Sequence, residues 1–130
     1  MKMATPITEY ENNCSLMAVR EFADVSDNVL WVAFRDAGWK PGRGTNIEQW
    51  MKAAKECGLK LGKRKKSPDG YFTLAEIMIK FPQGNFLVQS LGHVCCMVNG
   101  KIVDRTKREL SLKDKIYNVI PVLNAKEVEL

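Results

Sequence analysis

The chain lacks the patterns that mark several common protein classes. It has a single histidine and no Cys-x-x-Cys pair, so a zinc site built from paired ligands is not expected. No run approaches the ~18 apolar residues of a membrane-spanning helix, and residues 1–11 lack the apolar stretch of a secretory signal. We therefore expect a cytoplasmic protein with no membrane partner.

Cysteine is present, but in an arrangement that does not favour disulfides. The four cysteines are Cys14, Cys57, Cys95 and Cys96, and the adjacent pair is a poor disulfide framework. We expect free thiols, no bound metal and no cofactor. A zinc site that joins Cys14, Cys57 and Cys95 to His93 stays a weaker alternative.

The composition is that of one globular domain with a basic surface. The 130 residues are 45% hydrophobic and 27% charged, which predicts a single domain over 1–130. Lysine and arginine number 20 against 15 acidic residues, so the net charge is +5. This balance favours an acidic partner without demanding nucleic acid.

Helix signals are concentrated in the first two-thirds of the chain. Apolar residues recur at helical spacing after Asn13, and either asparagine before Cys14 can cap the helix start. Cys14 is therefore expected in a first helical turn. A second helix is predicted over 26–37, because Ser26 is a capping residue and Gly38 is a stop signal.

Two capping boxes predict the starts of two further helices. Thr45 is followed three residues later by Glu48, and Thr73 is followed at the same distance by Glu76. In each box the two side chains satisfy N–H groups that a helix start leaves unpaired. The second of these helices is predicted to end before Pro82, whose ring cannot continue a helix.

Strand signals follow from residue 86 onward. Residues 86–88 and 94–98 are β-prone, and Asn99-Gly100 is a strong signal for a two-residue hairpin turn. Residues 116–123 add another strand, in which Pro121 favours an edge position. Helices followed by three or four antiparallel strands predict an α+β fold, with N-terminal helices packed on a small C-terminal sheet.

The predicted hairpin brings a histidine and an aspartate close together. A two-residue turn at Asn99-Gly100 places Cys95 opposite Asp104, and Asp104 then lies diagonal to His93 at a Cα separation of about 7–8 Å. That separation is within reach of an imidazole ring. Cys96 is expected to face the opposite side of the sheet.

A cysteine at a helix start and a His–Asp hairpin together suggest nucleophilic catalysis. The positive end of a helix and a nearby imidazole both favour the thiolate that a nucleophilic cysteine needs. If the helix docks end-on against the sheet, His93 can exchange a proton with Cys14 while Asp104 selects the imidazole tautomer. The N–H of Cys14, with Asn12 or Asn13 as a second donor, can stabilise an oxyanion.

These residues stand in an order that resembles a known family. The motifs are Asn13-Cys14 at a helix start, Gly42-Arg43-Gly44-Thr45, Gly84-Asn85-Phe86-Leu87-Val88, and the stretch from Gly92-His93-Val94 through Asn99-Gly100-Lys101-Ile102-Val103-Asp104. Over residues 11–106 the chain resembles small papain-like cysteine peptidase domains. The similarity is closest to short phage and bacterial proteins of that fold, related in plan to bacteriocin-processing double-glycine peptidases.

The resemblance implies a fold, a reaction and a role for each residue. It implies a papain-like α+β fold and cleavage of a peptide or isopeptide bond, in the host cytoplasm if the protein is phage-encoded. Cys14 matches the nucleophile, His93 the base and Asp104 the orienting acid. A protein or peptide substrate is then the expected partner.

One position departs from the family pattern and leaves a second hypothesis open. Papain-like enzymes place an oxyanion glutamine about half a dozen residues before the cysteine, where this chain has Thr8 and Glu9. The alternative is a catalytically inactive papain-like scaffold that binds a host protein. In that case Cys14 is a small packing residue, His93 is structural and Asp104 is a surface charge.

A cluster of cations provides the contact surface for that alternative. The basic segment is Lys63-Arg64-Lys65-Lys66, within a loop predicted over 60–68. Its charges can bind an acidic protein or steer an acidic substrate. Because Tyr71 and Phe72 follow, phosphate contacts with base stacking are also conceivable, and nucleic acid is the less favoured third partner.

Overall fold

The structure, a computed structural model, describes residues 13–106 and 108–130. Helices precede most of the strands, and the α+β class is confirmed. The helices are α1 (Cys14–Phe22), α2 (Asp27–Asp36), α3 (Ile47–Glu56) and α4 (Leu74–Lys80). The strands are β1 (Phe72–Thr73), β2 (Asn85–Ser90), β3 (His93–Val98), β4 (Lys101–Val103) and β5 (Lys115–Pro121). Within the described residues, no helix is long and apolar enough to cross a membrane.

The first two helices begin where capping chemistry predicts. Asn13 is the N-cap of α1 and its carbonyl accepts from the N–H of Met17 at 3.0 Å, but its side chain forms no capping hydrogen bond. Ser26 is the N-cap of α2, and its hydroxyl accepts from the N–H of Val29 at 3.3 Å. Cys14 therefore opens α1, as expected.

The predicted start of α3 is wrong by one residue. The capping box is formed by Asn46 and Gln49, each accepting from the other's backbone N–H at 2.9 Å, rather than by Thr45 and Glu48. Thr45 is engaged elsewhere, because its hydroxyl donates to the Ser15 hydroxyl at 2.7 Å. Thr45 and Asn46 can both cap this helix, and Asn46 does so because the Thr45 hydroxyl is hydrogen-bonded to Ser15 of α1.

The other capping box forms as predicted. The Thr73 hydroxyl accepts from the N–H of Glu76 at 3.2 Å, and the Glu76 carboxylate accepts from the N–H of Thr73 at 3.0 Å. Helix α4 then ends at Lys80, before Pro82. The helix start and end are both confirmed.

All strands of the described part belong to one antiparallel sheet in the order β1-β5-β2-β3-β4. The turn at Asn99-Gly100 has positive φ at both residues, 50° and 77°, and aligns Met97 with Ile102 and Cys96 with Val103. The predicted hairpin register is confirmed over these pairs. The two-residue strand β1 was not predicted, since its sequence signal overlaps the start of α4.

The predicted edge position of the last strand is wrong. β5 lies between β1 and β2, and Pro121 pairs with Phe86. Val122 donates its N–H to Asn85 on β2, so the alternation of the strand turns the nitrogen of Pro121 away from β2. On that side β1 pairs only with Lys115 and Ile116. Near Pro121 the described partners are isolated bridges at Leu61 and Lys65, so a missing N–H is tolerated there.

The sheet has apolar side chains on both faces. One face packs against α1, α2 and α3 and includes Val94, Cys96 and Val98. The other face includes Cys95 and Met97 and packs with Ile77 of α4. The predicted opposite orientation of Cys95 and Cys96 is confirmed, and both thiols are buried.

Candidate active site

Cys14 stands at the point where α1 begins, over β3. Helix α1 packs along this strand, and the thiol of Cys96 donates to the carbonyl of Ala18 at 3.0 Å. This contact and the surrounding apolar side chains hold the start of α1 in place. Cys14 itself is only half-buried, unlike the other three cysteines.

His93 and Asp104 form a tight pair beside this helix start. His93 is the first residue of β3 and is 4% exposed, and Asp104 follows the last residue of β4. The imidazole Nε2 lies 2.6 Å from Asp104 Oδ2. The thiol of Cys14 hydrogen-bonds the same imidazole. Since Asp104 takes Nε2, the nitrogen left for the thiol is Nδ1.

Thr106 holds the carboxylate of Asp104, a contact that sequence reasoning missed. The Thr106 hydroxyl and N–H donate to Asp104 Oδ1 at 2.7 and 2.9 Å, while Oδ2 faces His93. The signal was present, because an aspartate two residues before a threonine is typical of a local side-chain turn. Thr106 thus orients Asp104, and Asp104 in turn orients the imidazole of His93.

Two opposing effects set the pKa of Cys14. Burial raises the pKa of the thiol, because it disfavours the charged thiolate. Hydrogen bonds with His93 and the N–H of Val94 lower the pKa, as do the His93 charge and the N–H of Ser15. The second group prevails, and the pKa of Cys14 lies below its ordinary value of 9.0.

The pKa values of His93 and Asp104 move in the directions of an ion pair. Burial lowers the pKa of His93, but hydrogen bonds to Asp104 and Cys14 and their charges raise it to about 9. Burial raises the pKa of Asp104, whereas hydrogen bonds from His93 and Thr106 and the His93 charge bring it below its ordinary value. The site therefore favours a thiolate, an imidazolium and a carboxylate in sequence.

The other three thiols lie in the opposite electrostatic setting. Burial and the neighbouring Glu56 raise the pKa of Cys57 to about 11. Burial, with the charges of Asp104 and Cys14, raises the pKa of Cys95 to about 12, and burial raises the pKa of Cys96 well above its ordinary value. Of the four cysteines, Cys14 has the thiol poised for reaction.

Of the two asparagines predicted as oxyanion donors, the structure describes one, Asn13. Asn12 lies outside the described residues, and Asn13 is the N-cap of α1. Two N–H groups that sequence reasoning missed, those of Ser15 and Val94, point at the Cys14 sulfur. The pairing of β3 with β4 ends at Cys96, two residues after Val94. Because β4 does not extend as far as Val94, the N–H of Val94 can donate to the Cys14 sulfur instead.

The space between α1 and β3 beside Cys14 is too small to hold a substrate group. The enclosed space between α1 and β3 measures about 10 Å³, about the size needed for a single water molecule. Arg105 and Glu21 line this space and form an ion pair at 2.9 Å. A substrate carbonyl must therefore approach from the exposed side of Cys14.

The basic segment lies in a loop that runs beside β5. Its backbone follows β5, where the N–H of Lys65 donates to the carbonyl of Val119 at 2.9 Å. The guanidinium of Arg64 donates to Asn118 Oδ1 at 2.7 Å. The predicted exposed loop is confirmed, and isolated bridges at Leu61 and Lys65 connect its backbone to β5. The four cationic side chains are exposed, as expected.

The described residues contain no group of three or more histidine, cysteine, aspartate or glutamate side chains arranged to hold a metal ion. The zinc site considered from the sequence drew on Cys14, His93 and Cys95, with Cys57 as an optional further ligand, and these side chains form no such group. Comparisons of the chain with protein families, curated proteins and solved structures find no match.

Proposed function

We propose that the protein is a cysteine hydrolase of the papain-like kind, acting in the cytoplasm on a peptide or isopeptide bond. One observation carries the proposal. The thiol of Cys14, at a helix start, hydrogen-bonds His93, and the other nitrogen of that ring lies 2.6 Å from Asp104. A nucleophile, a base and an orienting carboxylate in this relation form the constellation of acyl-transfer enzymes.

The reaction begins with the ionised pair. The Cys14 thiolate attacks the substrate carbonyl and forms a carbon–sulfur bond, and the carbonyl electrons move to oxygen. As the tetrahedral intermediate collapses, the imidazolium of His93 donates its proton to the departing amine and the carbon–nitrogen bond breaks. Water, deprotonated by His93, then attacks the thioester, and the acid product leaves with Cys14 again a thiolate.

The start of α1 supplies the electrostatics for the oxyanion. N–H groups in a first helical turn have no acceptor within the helix, and the helix dipole places positive partial charge there. The N–H of Cys14 lies in this first turn and is the proposed donor to the developing oxyanion. In this proposal a backbone N–H stabilises the oxyanion, whereas a glutamine side chain does so in the family that the sequence resembles.

Selective alkylation tests the proposed nucleophile. Iodoacetamide in limiting amount is expected to label Cys14 at least about tenfold faster than Cys57, Cys95 or Cys96, because its pKa is lowered while theirs are raised. Mass spectrometry of peptides gives the rate at each thiol. The labelling rate of Cys14 should rise with pH through a midpoint below 9.0.

A matched variant separates reactivity from exposure. In His93→Ala the thiol keeps its place at the helix start but loses its hydrogen bond and the imidazolium charge, so the midpoint of labelling should move to higher pH. An unchanged midpoint, or equal labelling of all four native thiols, would count against the proposed hydrolase.

The exposed basic segment supports a second candidate function, capture of an acidic protein. Charge reversal of Lys63 and Lys66 to glutamate should abolish retention on immobilised polyglutamate at low salt. Cys14→Ala should leave retention intact, as should charge reversal at the control residues Lys52 and Lys101. Retention unaffected by the first pair of changes would exclude this function. Tighter, steeply salt-dependent binding to single-stranded DNA would indicate nucleic acid instead.

A further inference from the structure

An open cleft of about 280 Å³ lies at the turn between β2 and β3. Ser90, the last residue of β2, lines this cleft and pairs directly with His93 across the hairpin. Side chains of directly paired residues share a face of the sheet and have Cβ atoms about 4.5–5.5 Å apart. Ser90 therefore both lines the cleft and neighbours His93 in the sheet.

Ser90 offers a polar group that the protein itself does not satisfy. The residue is 8% exposed, and its hydroxyl has no hydrogen-bond partner among the described residues. A buried hydroxyl left without a partner is destabilising, because it has given up its hydrogen bonds to water. A ligand that accepts from this hydroxyl would remove that cost.

Three cations converge on the same cleft. The Arg108 guanidinium donates to the carbonyls of Gly92 and Leu91 at 3.3 and 3.4 Å, which fixes it over the β2–β3 turn. Lys113 and Lys115 also line the cleft, and no ion pair holds any of the three within the described part of the chain.

The cleft keeps a net positive charge, because its lining residues include three cations and one carboxylate. Asp114 is the one carboxylate among the lining residues, and it accepts from the N–H of Ser111 at 3.0 Å. The ammonium of Lys115 lies 4.7 Å from the ring centroid of Tyr71, which orients it without neutralising it. Three cations against one anion, with an unused hydroxyl, form a site for an anionic group.

We propose that the Ser90 cleft binds a carboxylate of the substrate on the leaving-group side of the scissile bond. This inference rests on the proposed hydrolase. His93 delivers its proton to the departing amine, so the part of the substrate beyond that amine lies on the His93 side, where Ser90 is the paired residue. Arg108 and the two lysines bind the carboxylate, and the Ser90 hydroxyl donates to it.

A binding experiment tests the site without any turnover. Succinate is titrated into the full-length protein while the backbone N–H resonances of Leu91 and Gly92 are followed by NMR. We expect saturable shifts, and an affinity about tenfold weaker in Arg108→Gln and in the Lys113→Gln, Lys115→Gln double variant. The second variant does not disturb the Arg108 contacts with the turn. The matched control, Lys52→Gln with Lys101→Gln, should bind like the wild type.

The binding results have clear opposing outcomes. No saturable shift, or equal affinity in wild type and both cleft variants, overturns the site. Inorganic phosphate that binds the same resonances more tightly than succinate overturns the choice of a carboxylate, and the ligand is then a phosphate group.

An activity experiment tests the link to the substrate. Quenched peptides with aspartate on the leaving-group side should show a kcat/KM about tenfold higher than the same peptides with asparagine, and Arg108→Gln should remove the difference. Cleavage without this preference overturns the proposed subsite but leaves the hydrolase. Succinate binding with no cleavage of any peptide or isopeptide substrate overturns the hydrolase and the substrate role, while the anion site stands.

Discussion

Replacing Cys14 with alanine is expected to reduce acyl hydrolysis by about 10⁴–10⁶-fold, because no other group in the site can form the thioester. His93→Ala should cost a similar factor, since the thiol then loses the partner that lowers its pKa and the donor for the leaving amine. The double variant should be no worse than either single variant, because the two residues act as one unit. The measurement is kcat/KM on quenched peptides and on an isopeptide-linked substrate.

Matched variants keep this result interpretable. Cys14→Ser retains nearly the same volume and helix start, and it should lose activity while circular dichroism and the melting temperature stay close to wild type. Cys57→Ser removes a thiol at the end of α3 and should leave kcat/KM unchanged. Hydrolysis that persists in Cys14→Ala at the wild-type rate would overturn the proposed mechanism.

Replacing Asp104 with alanine is expected to reduce kcat by about 10²–10⁴-fold through its effect on His93. The carboxylate lies 2.6 Å from Nε2, and without it the imidazole loses both its orientation and the tautomer that presents Nδ1 to the thiol. Asp104 does not reach the sulfur, so it is a positioning residue. A loss of kcat with a smaller change in KM is the expected pattern.

The pH profile distinguishes this role from a merely structural one. In the wild type, activity should rise as Cys14 ionises, with a midpoint below 9.0, and fall as His93 loses its proton near pH 9. Hydrogen bonding and charge from Asp104 raise the pKa of His93, so Asp104→Ala should move the descending limb to lower pH. The active pH range therefore narrows from its alkaline side.

Two controls frame the Asp104 result. Thr106→Val removes the hydroxyl that donates to Asp104 Oδ1 but keeps the N–H contact and the carboxylate, so a smaller shift in the same direction is expected. Asp69→Asn changes an exposed carboxylate in the turn before β1 and should move neither limb. A descending limb that stays near pH 9 in Asp104→Ala would contradict the assigned role.

Short-range signals account for the parts of this fold that were predicted well. The turn at Asn99-Gly100 needs left-handed backbone, which asparagine and glycine tolerate best, and this sets the register that carries Asp104 toward His93. The box at Thr73 and Glu76 likewise depends on residues three apart. Such signals lie within a few positions of one another, so they can be recognised before the chain is folded.

The errors came from contacts between distant parts of the chain. The hydroxyl of Thr45 is used by Ser15, which leaves the cap of α3 to Asn46. The strand containing Pro121 acquired a second neighbour because β1 pairs with its first residues and residues 61–65 form bridges nearer Pro121. Neither contact can be predicted from neighbouring residues in the sequence. Packing between distant segments decides which of two possible caps is used and which strands pair.

By itself, the sequence determined the local elements, the Asn99-Gly100 hairpin and the residue types available for chemistry. Only the tertiary structure decided that Cys14 meets His93, that Val94 offers its N–H to the sulfur and that Ser90 opens on a cationic cleft. The physical reason is the docking of α1 on β3, which depends on apolar burial summed over both elements. No short stretch of residues encodes that sum.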